Sequence, residues 1–566
     1  MELSDKKGIQ QIVETLAALG LNKIVICPGS RNAPLVISFN RHPAFTCTSI
    51  RDERSAAFFA LGMSMETGMP VAVVSTSGSA VLNFAPAISE AYYQHVPLIV
   101  ITADRLKEWT HQGDGQTINQ TEVYRNYINK SYELRGDADN KDDLWYNNRC
   151  INEGWNIAVT KDKGPVHFNI PLSEPLYRVA EVQASAPRVF REVQLKQTLP
   201  LDVFDRLQDE FRNAQKVMIL AGQLPVCSEL KDEIVRISKL DNVIVLTESI
   251  SNLHDEHFVE NIDRCITPMN DYELEELMPD LLITIGGAII SKRIKSALRK
   301  FRPLHHWYID PYHGFMDTYQ CLTMAIPMEP YEFFKEFNIM LKHPKSDYRL
   351  KWEGYNYRYD VLHNKFKENC AYSDFKVFEH IIRQFPKDTC LHISNSSPIR
   401  YVQLFENRHI SETWCNRGTS GIDGCTSTAV GAAFVAGFKN FVLITGDVAF
   451  NYDINALWNE SQVNNLKIIV INNGGGGIFR IISGPDKVDE MENYFETAMN
   501  SDAKRIAERY EWQYMQAEDS ITLKQSLTEF FSNNSNRCIL EIFTNAEDNP
   551  RVLNQYWDYL KNNGYE

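Results

Sequence analysis

Asp447 and Asn473 are the residues in this chain whose type and spacing point most directly to chemistry. Gly446-Asp447 closes one apolar run, 441–445, and Asn472-Asn473 closes the next, 466–471, with about one helix of sequence between them. The runs read as two neighbouring parallel strands joined by a crossover helix over 453–463. Parallel neighbours lie about 5 Å apart and open their carboxyl ends on the same side of the sheet, so a carboxylate from one and an amide oxygen from the other can share a small hard cation. Mg²⁺ suits that donor set, because it takes few protein oxygens and completes its octahedron with phosphate and water. Gly474-Gly475-Gly476-Gly477 removes the side chains that would keep a diphosphate away from the backbone. A glycine run alone is a weak signal; joined to Gly-Asp and Asn-Asn at this spacing, it points to a metal-anchored diphosphate.

A second acid stands out in Arg51-Asp52-Glu53-Arg54. Glu53 follows a short strand, 45–50, and opens an apolar helix that runs to about Gly68. Taken alone, an acid in a first turn is a favourable partner of the helix dipole and nothing more.

These residues need elements to position them. The first third alternates: helix 9–19, strand 23–27, the Glu53 helix, strand 71–75, helix 80–93 and strand 98–102, which reads as an open parallel α/β domain. A looser stretch over 179–200 reads as a linker. The middle third has strands at 216–220, 242–247, 281–285 and 305–309 and forms a second, smaller α/β unit. Its Gly286-Gly287 marks a turn, and without Gly-x-Gly-x-x-Gly there is no reason to place a nucleotide there. An aromatic, charged run over 343–369 reads as a second linker plus a helix leading into the last domain. The expected organisation is therefore α/β, three open parallel-sheet domains: 1–180, a linker 181–200, 201–343, a linker and helix 344–370, and 371–566. No short-period repeat or low-complexity tract interrupts it.

At 566 residues the chain exceeds what one core serves, which agrees with three domains. Eleven cysteines without Cys-x-x-Cys point to reduced thiols in the cytoplasm rather than a disulfide frame or zinc site. The N-terminus has no apolar signal core, and no segment approaches the roughly 18 apolar residues of a membrane span. A net charge of −15 argues against general affinity for nucleic acid or anionic membrane, so an anionic substrate must meet local arginines.

Gly-Asp followed some two dozen residues later by Asn-Asn resembles the diphosphate-anchoring motif of thiamine-diphosphate enzymes. Val448 stands where a Gly is common, which removes no ligand. The resemblance implies a thiamine-diphosphate-binding fold of pyrimidine-binding, middle and diphosphate-binding domains. It further implies that Asp447, the Asn473 side chain and the Gly475 carbonyl hold Mg²⁺, with Mn²⁺ able to substitute. Glu53 becomes the partner of the pyrimidine N1′, which drives the ring to the imino tautomer that takes the thiazolium proton.

Further strings extend the resemblance over nearly the whole chain: Pro28-Gly29-Ser30-Arg31, Thr76-Ser77-Gly78, Thr102-Ala103-Asp104-Arg105, Gln116-Thr117-Ile118-Asn119-Gln120, Ser291-Lys292-Arg293, Asn395-Ser396 with Arg400, Asn416-Arg417-Gly418-Thr419-Ser420-Gly421-Ile422-Asp423-Gly424, and Gly477-Ile478-Phe479. Together they resemble the thiamine-diphosphate transferases of menaquinone biosynthesis, which decarboxylate 2-oxoglutarate and add the succinic-semialdehyde carbanion equivalent to isochorismate. Both substrates are dicarboxylates, and Arg holds a planar carboxylate through two parallel hydrogen bonds. The matched motifs make Arg31, Arg105, Lys292, Arg293, Arg400 and Arg417 carboxylate binders, with hydroxyls from Ser30 and Ser396. Gln116 orients the intermediate, and Glu53, Gln116, Arg400 and Arg417 form the catalytic group. Thr76, Gly78, Ser420, Gly421, Gly446, Gly477 and Ile478 join the cofactor contacts; Ile422 props the bent cofactor, and Ile478 with Phe479 walls the acceptor ring. A homodimer or homotetramer with active sites between subunits is implied, Glu53 coming from one subunit and the metal from another.

The chain departs from the pattern where Gly113-Asp114-Gly115-Gln116 replaces Gly-Ala-Asn-Gln and where Gly474 replaces an Asn. Two other readings stand beside this one: a different 2-oxo-acid decarboxylase or carboligase, acetolactate-synthase-like, and a non-catalytic protein on the same fold. So many arginines favour a dicarboxylate over a small monoacid, and retention of Glu53, Asp447 and Asn473 favours catalysis. A phosphate-binding ATPase lacks its Gly-x-x-x-x-Gly-Lys-Ser/Thr loop.

Overall fold

Short runs dominated by Val, Ile and Leu become the inner strands of three six-stranded sheets, while edge strands such as Thr46–Ser49 and Gln513–Ala517 are more polar. A computed structural model describes the chain except for residues 161–162, 184–185, 313, 339–342, 460–462, 483, 500, 533–536 and 565–566. Such runs are apolar on both faces, as strands sandwiched between helix layers must be. Every described pairing in the three sheets is parallel. The chain is α/β, with three parallel-sheet domains as expected.

The chain divides into two compact units. One comprises Met1–Leu195, Asn416–Lys439 and Tyr452–Leu466, and holds the first sheet; the other comprises Lys196–Cys415, Asn440–Asn451 and Lys467–Glu566, and holds the middle and last sheets. With strands counted in chain order within each sheet, the first and last sheets are both wound 2-1-3-4-6-5, whereas the middle sheet is wound 3-2-1-4-5-6. In the 2-1-3-4-6-5 order the winding reverses between strands 1 and 3, and ligands bind beyond the carboxyl ends of strands at such a reversal. In the first sheet those ends, Lys23–Ile26 and Val71–Ser75, lead into residues 28–31 and 76–78. In the last sheet Thr389–Ile393 and Asn440–Gly446 lead into residues 394–396 and Asp447.

Helix Glu53–Thr67 begins where Asp52 accepts a hydrogen bond from the Ser55 amide, 3.1 Å, and ends at Gly68, whose φ of 64° is left-handed. It is buried on nearly all sides and lies against helix Cys425–Val435 within the first unit. The approach leaves no room for side chains at the crossing. A Cβ on Gly62 would stand 2.0 Å from the Thr428 carbonyl oxygen, and one on Gly431 2.0 Å from that of Phe59.

Three sequence expectations change. Residues 80–93 form two helices, Ser79–Leu82 and Ala85–Tyr93, because Pro86 has no N–H for the Leu82 carbonyl and starts a new helix instead. The crossover read as a helix over 453–463 is helix Asp447–Tyr452 followed by a 3₁₀ segment Ile454–Trp458, while 460–462 lie outside the described residues. Asp453 breaks it, with non-helical φ and a side chain committed to Ser427. The stretch 179–200 opens with strand Val179–Glu181, antiparallel to Glu2–Ser4; residues 184–185 within it lie outside the described residues. Likewise 313 and 339–342, in the 201–343 span, lie outside them.

Candidate active site

In the second unit, strands Asn440–Gly446 and Leu466–Asn472 are neighbours in the last sheet, so Asp447 and Asn473 emerge side by side. Asp447 is 1 % exposed. Its Oδ2 accepts from the Gly474 and Gly475 amides, both at 2.9 Å, and its Oδ1 from the Val448 amide at 2.7 Å. Burial nevertheless pushes its pKa up to about 7 against the pull of those amides, and Asp374 adds to the rise. A cation would relieve that cost.

The Asn473 amide donates through Nδ2 to Asp374, 3.0 Å, leaving its oxygen free to face elsewhere. Asn472 donates to Glu541, 2.8 Å, and accepts from the Gly474 amide, 3.2 Å. The glycine loop is a fitted cradle. Gly475 has φ 151° and a Cβ there would meet the Glu496 carbonyl oxygen at 2.8 Å; on Gly477 it would meet the Asn473 amide at 2.7 Å. Among the described residues no three His, Cys, Asp or Glu side chains cluster as metal ligands. One carboxylate, one amide and a carbonyl, with phosphate supplying further oxygens, is nonetheless a donor set that fits Mg²⁺.

Ile478 and Phe479 lie on the short helix Ile478–Ile481, both half-buried, with Phe479 5.7 Å from Phe495. Arg480 fastens this segment through a two-pronged pair with Glu496, 2.6 Å on each prong. Ser396 has φ 75° and precedes helix Ser397–Val402, which carries Arg400. Half-buried Asp263 accepts from the Ser291 hydroxyl and feels the positive charges of Arg293 and Arg400, while burial raises its pKa. Arg293 also stacks over Trp557, 5.2 Å, and Lys292 beside it is exposed.

In the first unit, Ser30 and Arg31 follow strand 1 of the sheet, and Thr76 and Gly78 follow strand 3. The Arg31 amide donates to the Thr76 hydroxyl, 3.3 Å, and a Cβ on Gly78 would lie 3.1 Å from the Gln116 backbone, so the three strings form one group. Ser30 is exposed; Arg31 is buried, donates to the Leu172 carbonyl at 3.0 Å and pairs with Glu174 at 3.0 Å. Burial, then the positive charge of Arg105, lowers the Arg31 pKa. Arg105 pairs with Asp114, 3.3 Å, and donates to the Gly115 carbonyl, 3.4 Å. The unusual acid in the 113–116 string is thus a partner of this guanidinium. Each of the two guanidiniums thus faces a carboxylate of the same chain, Glu174 or Asp114.

Glu53 is half-buried at the start of its helix, and burial raises its pKa despite the favourable helix end. Such a carboxyl holds its proton more readily than a solvated one, as a hydrogen-bond partner of a ring nitrogen requires. Arg417, Ser420, Gly421 and Ile422 lie on the loop before helix Cys425–Val435. Buried Glu90 ties that loop down, accepting from the Gly418 and Thr419 amides, each 2.7 Å, and from the Thr419 hydroxyl, 2.6 Å. Ile422 is half-buried rather than core, leaving apolar surface for a ligand.

Sequence reading missed the carboxylates that hold these loops: Glu90, Asp374, Asp453, Glu496 and Glu541. None carries a local signature, since each bonds to residues distant in sequence or to loop backbone.

Two families from the class of thiamine pyrophosphate enzymes match the chain: the N-terminal TPP binding domain over residues 6–123 and the C-terminal TPP binding domain over 397–542. Proteins called 2-succinyl-5-enolpyruvyl-6-hydroxy-3-cyclohexene-1-carboxylate synthase are similar over essentially the full length. That of Flavobacterium johnsoniae is 43 % identical, covering 97 % of this chain and 98 % of its own. That of Porphyromonas gingivalis is 40 % identical over 100 % and 99 %, and that of Bacteroides thetaiotaomicron 38 % over 99 % of both. The chain belongs to this synthase family of the thiamine pyrophosphate enzymes, the family of menaquinone biosynthesis. No helix among the described residues is long and apolar enough to cross a membrane.

Proposed function

We propose that the protein decarboxylates 2-oxoglutarate and adds the resulting four-carbon unit to isochorismate, releasing CO₂, with thiamine diphosphate and Mg²⁺ as cofactors and Mn²⁺ as a substitute. The observation that carries this reading is the pairing of buried Asp447 with Asn473 at adjoining strand ends, beside a loop in which a Cβ on Gly475 or Gly477 would collide with its neighbours. Asp447, the Asn473 oxygen and the Gly475 carbonyl would hold the cation, which would neutralise a diphosphate. Thiamine diphosphate, when bound, supplies a nucleophilic carbon that also serves as an electron sink.

The remaining work falls to side chains. Glu53 hydrogen-bonds the pyrimidine ring and holds the proton there. Ile422, Thr76, Gly78, Ser420 and Gly421 of the first unit, and Gly446, Gly477 and Ile478 of the second, would contact the cofactor, Ile422 as an apolar prop. Gln116 orients the reacting carbonyl. Arg31 and Arg105 with Ser30 form one carboxylate site, and Arg293 and Arg400 with Lys292 and Ser396 form another; Arg417 completes the set. Ile478 and Phe479 would keep water away from the reacting carbon. In this reading residues 1–180 bind the pyrimidine, 371–566 bind the diphosphate, and the cytoplasmic enzyme is a homodimer or homotetramer in which Glu53 of one subunit serves the metal of another.

The test is CO₂ release from 2-oxoglutarate with and without isochorismate, with pyruvate as control. Release that depends on 2-oxoglutarate and couples to isochorismate consumption supports the assignment. Turnover of pyruvate in preference to 2-oxoglutarate would refute it in favour of an acetolactate-synthase-like activity.

A further inference from the structure

Asp374 opens helix Asp374–Gln384, is 1 % exposed, and belongs to none of the motifs described above. Its Oδ1 accepts from the Thr544 hydroxyl at 2.6 Å and its Oδ2 from Asn473 Nδ2 at 3.0 Å. Its own amide donates to Asn549 Oδ1 at 2.8 Å, and Asn549 returns a bond to the Thr544 hydroxyl at 3.1 Å. Thr544 donates its amide to the Asn472 carbonyl, 3.0 Å, which closes the network on the strand that carries Asn473.

The chemistry of this contact is directional. A carboxylate only accepts, whereas an amide has one donating and one accepting end. Asn473 must therefore turn its NH₂ toward Asp374 and its oxygen the other way. Without that constraint the two ends of the amide are nearly alike in shape, and an NH₂ turned toward a cation repels it.

We propose that Asp374 is a positioning residue that selects the oxygen end of Asn473 for the cation. The inference rests on the reading of Asn473 as a metal ligand and deepens it. Groups that orient metal ligands typically change affinity by about 10–100-fold when removed.

The experiment measures Mg²⁺ affinity of the full chain by titration at saturating thiamine diphosphate, following the thermal upshift. Asp374→Ala should bind Mg²⁺ at least about tenfold more weakly. Asp374→Asn should also bind weakly, since its own amide can turn either end toward Asn473. The double variant Asp374→Asn/Asn473→Asp exchanges donor and acceptor, and should recover to within about threefold of the original affinity, a rescue that a merely structural role does not produce. Full Mg²⁺ affinity in Asp374→Ala, or a folded double variant no better than Asp374→Asn, overturns the proposal. If Asp374→Ala does not fold, the double variant decides alone, and its failure to bind Mg²⁺ counts against the proposal. Asn473→Ala separates the two claims: unchanged Mg²⁺ affinity there removes Asn473 from the metal site, whereas weakened affinity with no rescue removes only Asp374.

Discussion

Asp453 should make the first unit less stable as pH rises, and replacing it should reveal by how much. The side chain is 0 % exposed, accepts from the Ser427 amide and hydroxyl at 2.6 and 2.7 Å, and through the Ser427–Ser55 hydroxyl contact, 2.9 Å, reaches the helix that begins with Glu53. Burial lifts its pKa from 3.8 to about 7; the Ser427 bonds and Arg54 oppose the rise, and Asp52 adds to it. A carboxyl whose folded pKa lies above its unfolded one binds more protons in the folded state. Its contribution is therefore best below the unfolded value and is lost as pH climbs from about 4 to about 7, at roughly 1.4 kcal/mol per unit. Between pH 5 and pH 8 the loss comes to about 3 kcal/mol. Asp453→Asn keeps the shape, lets its oxygen accept from the Ser427 amide and its NH₂ donate to the hydroxyl, and abolishes the titration. Thermal melts of both proteins at pH 5 and pH 8 isolate the effect. Relative to the original, the variant should gain about 5–10 °C at pH 8 over its standing at pH 5, for a unit of this size. A difference in melting temperature that does not change with pH would refute the reasoning.

Asp447→Ala should abolish most of the thermal upshift given by Mg²⁺ and thiamine diphosphate, a loss of about 2.7 kcal/mol at ligand a hundredfold above its dissociation constant; an unchanged upshift places the metal elsewhere. Glu53→Gln should keep the upshift but lower kcat by about 10²–10⁴-fold, the usual worth of a positioned acid or base, and near-normal CO₂ release would remove Glu53 from the mechanism. Gly431→Val should destabilise the first unit by more than about 2 kcal/mol, because its side chain meets the Phe59 carbonyl; a melting temperature within 1–2 °C of the original, about the effect of a neutral surface change, would show that the helices can part at no cost.

What the sequence reveals here follows the range of each interaction. Strands Val71–Ser75, Leu281–Ile285 and His305–Ile309 have the ends read from their apolar runs, because burial on both faces leaves an uninterrupted signal and a turn residue stops it. The pairing of Asp447 with Asn473 was legible for a related reason: each sits two residues beyond such a run, just past the strand ends Gly446 and Asn472. The helix break at Pro86 carries a local signal that the broader apolar pattern masked. The pairing of Val179–Glu181 with Glu2–Ser4 joins distant segments, and polar strands of three residues give no periodicity. Asp374, Glu90 and Glu496 were hidden likewise. Acids are common on surfaces, and only the folded chain reveals which of them is buried against a loop.

The shared 2-1-3-4-6-5 winding gives the chain an internal correspondence, in which each position past a strand tip of the first sheet has a counterpart past the same tip of the last. Thr76 follows the third strand of one as Asp447 follows the third strand of the other. One scaffold, used twice, thus carries a hydroxyl among crowded guanidiniums in its first copy and a buried carboxylate in its second. Exchanging the side chains at these paired tips offers a direct way to ask how far opposite electrostatic duties depend on a few residues rather than on the architecture beneath them.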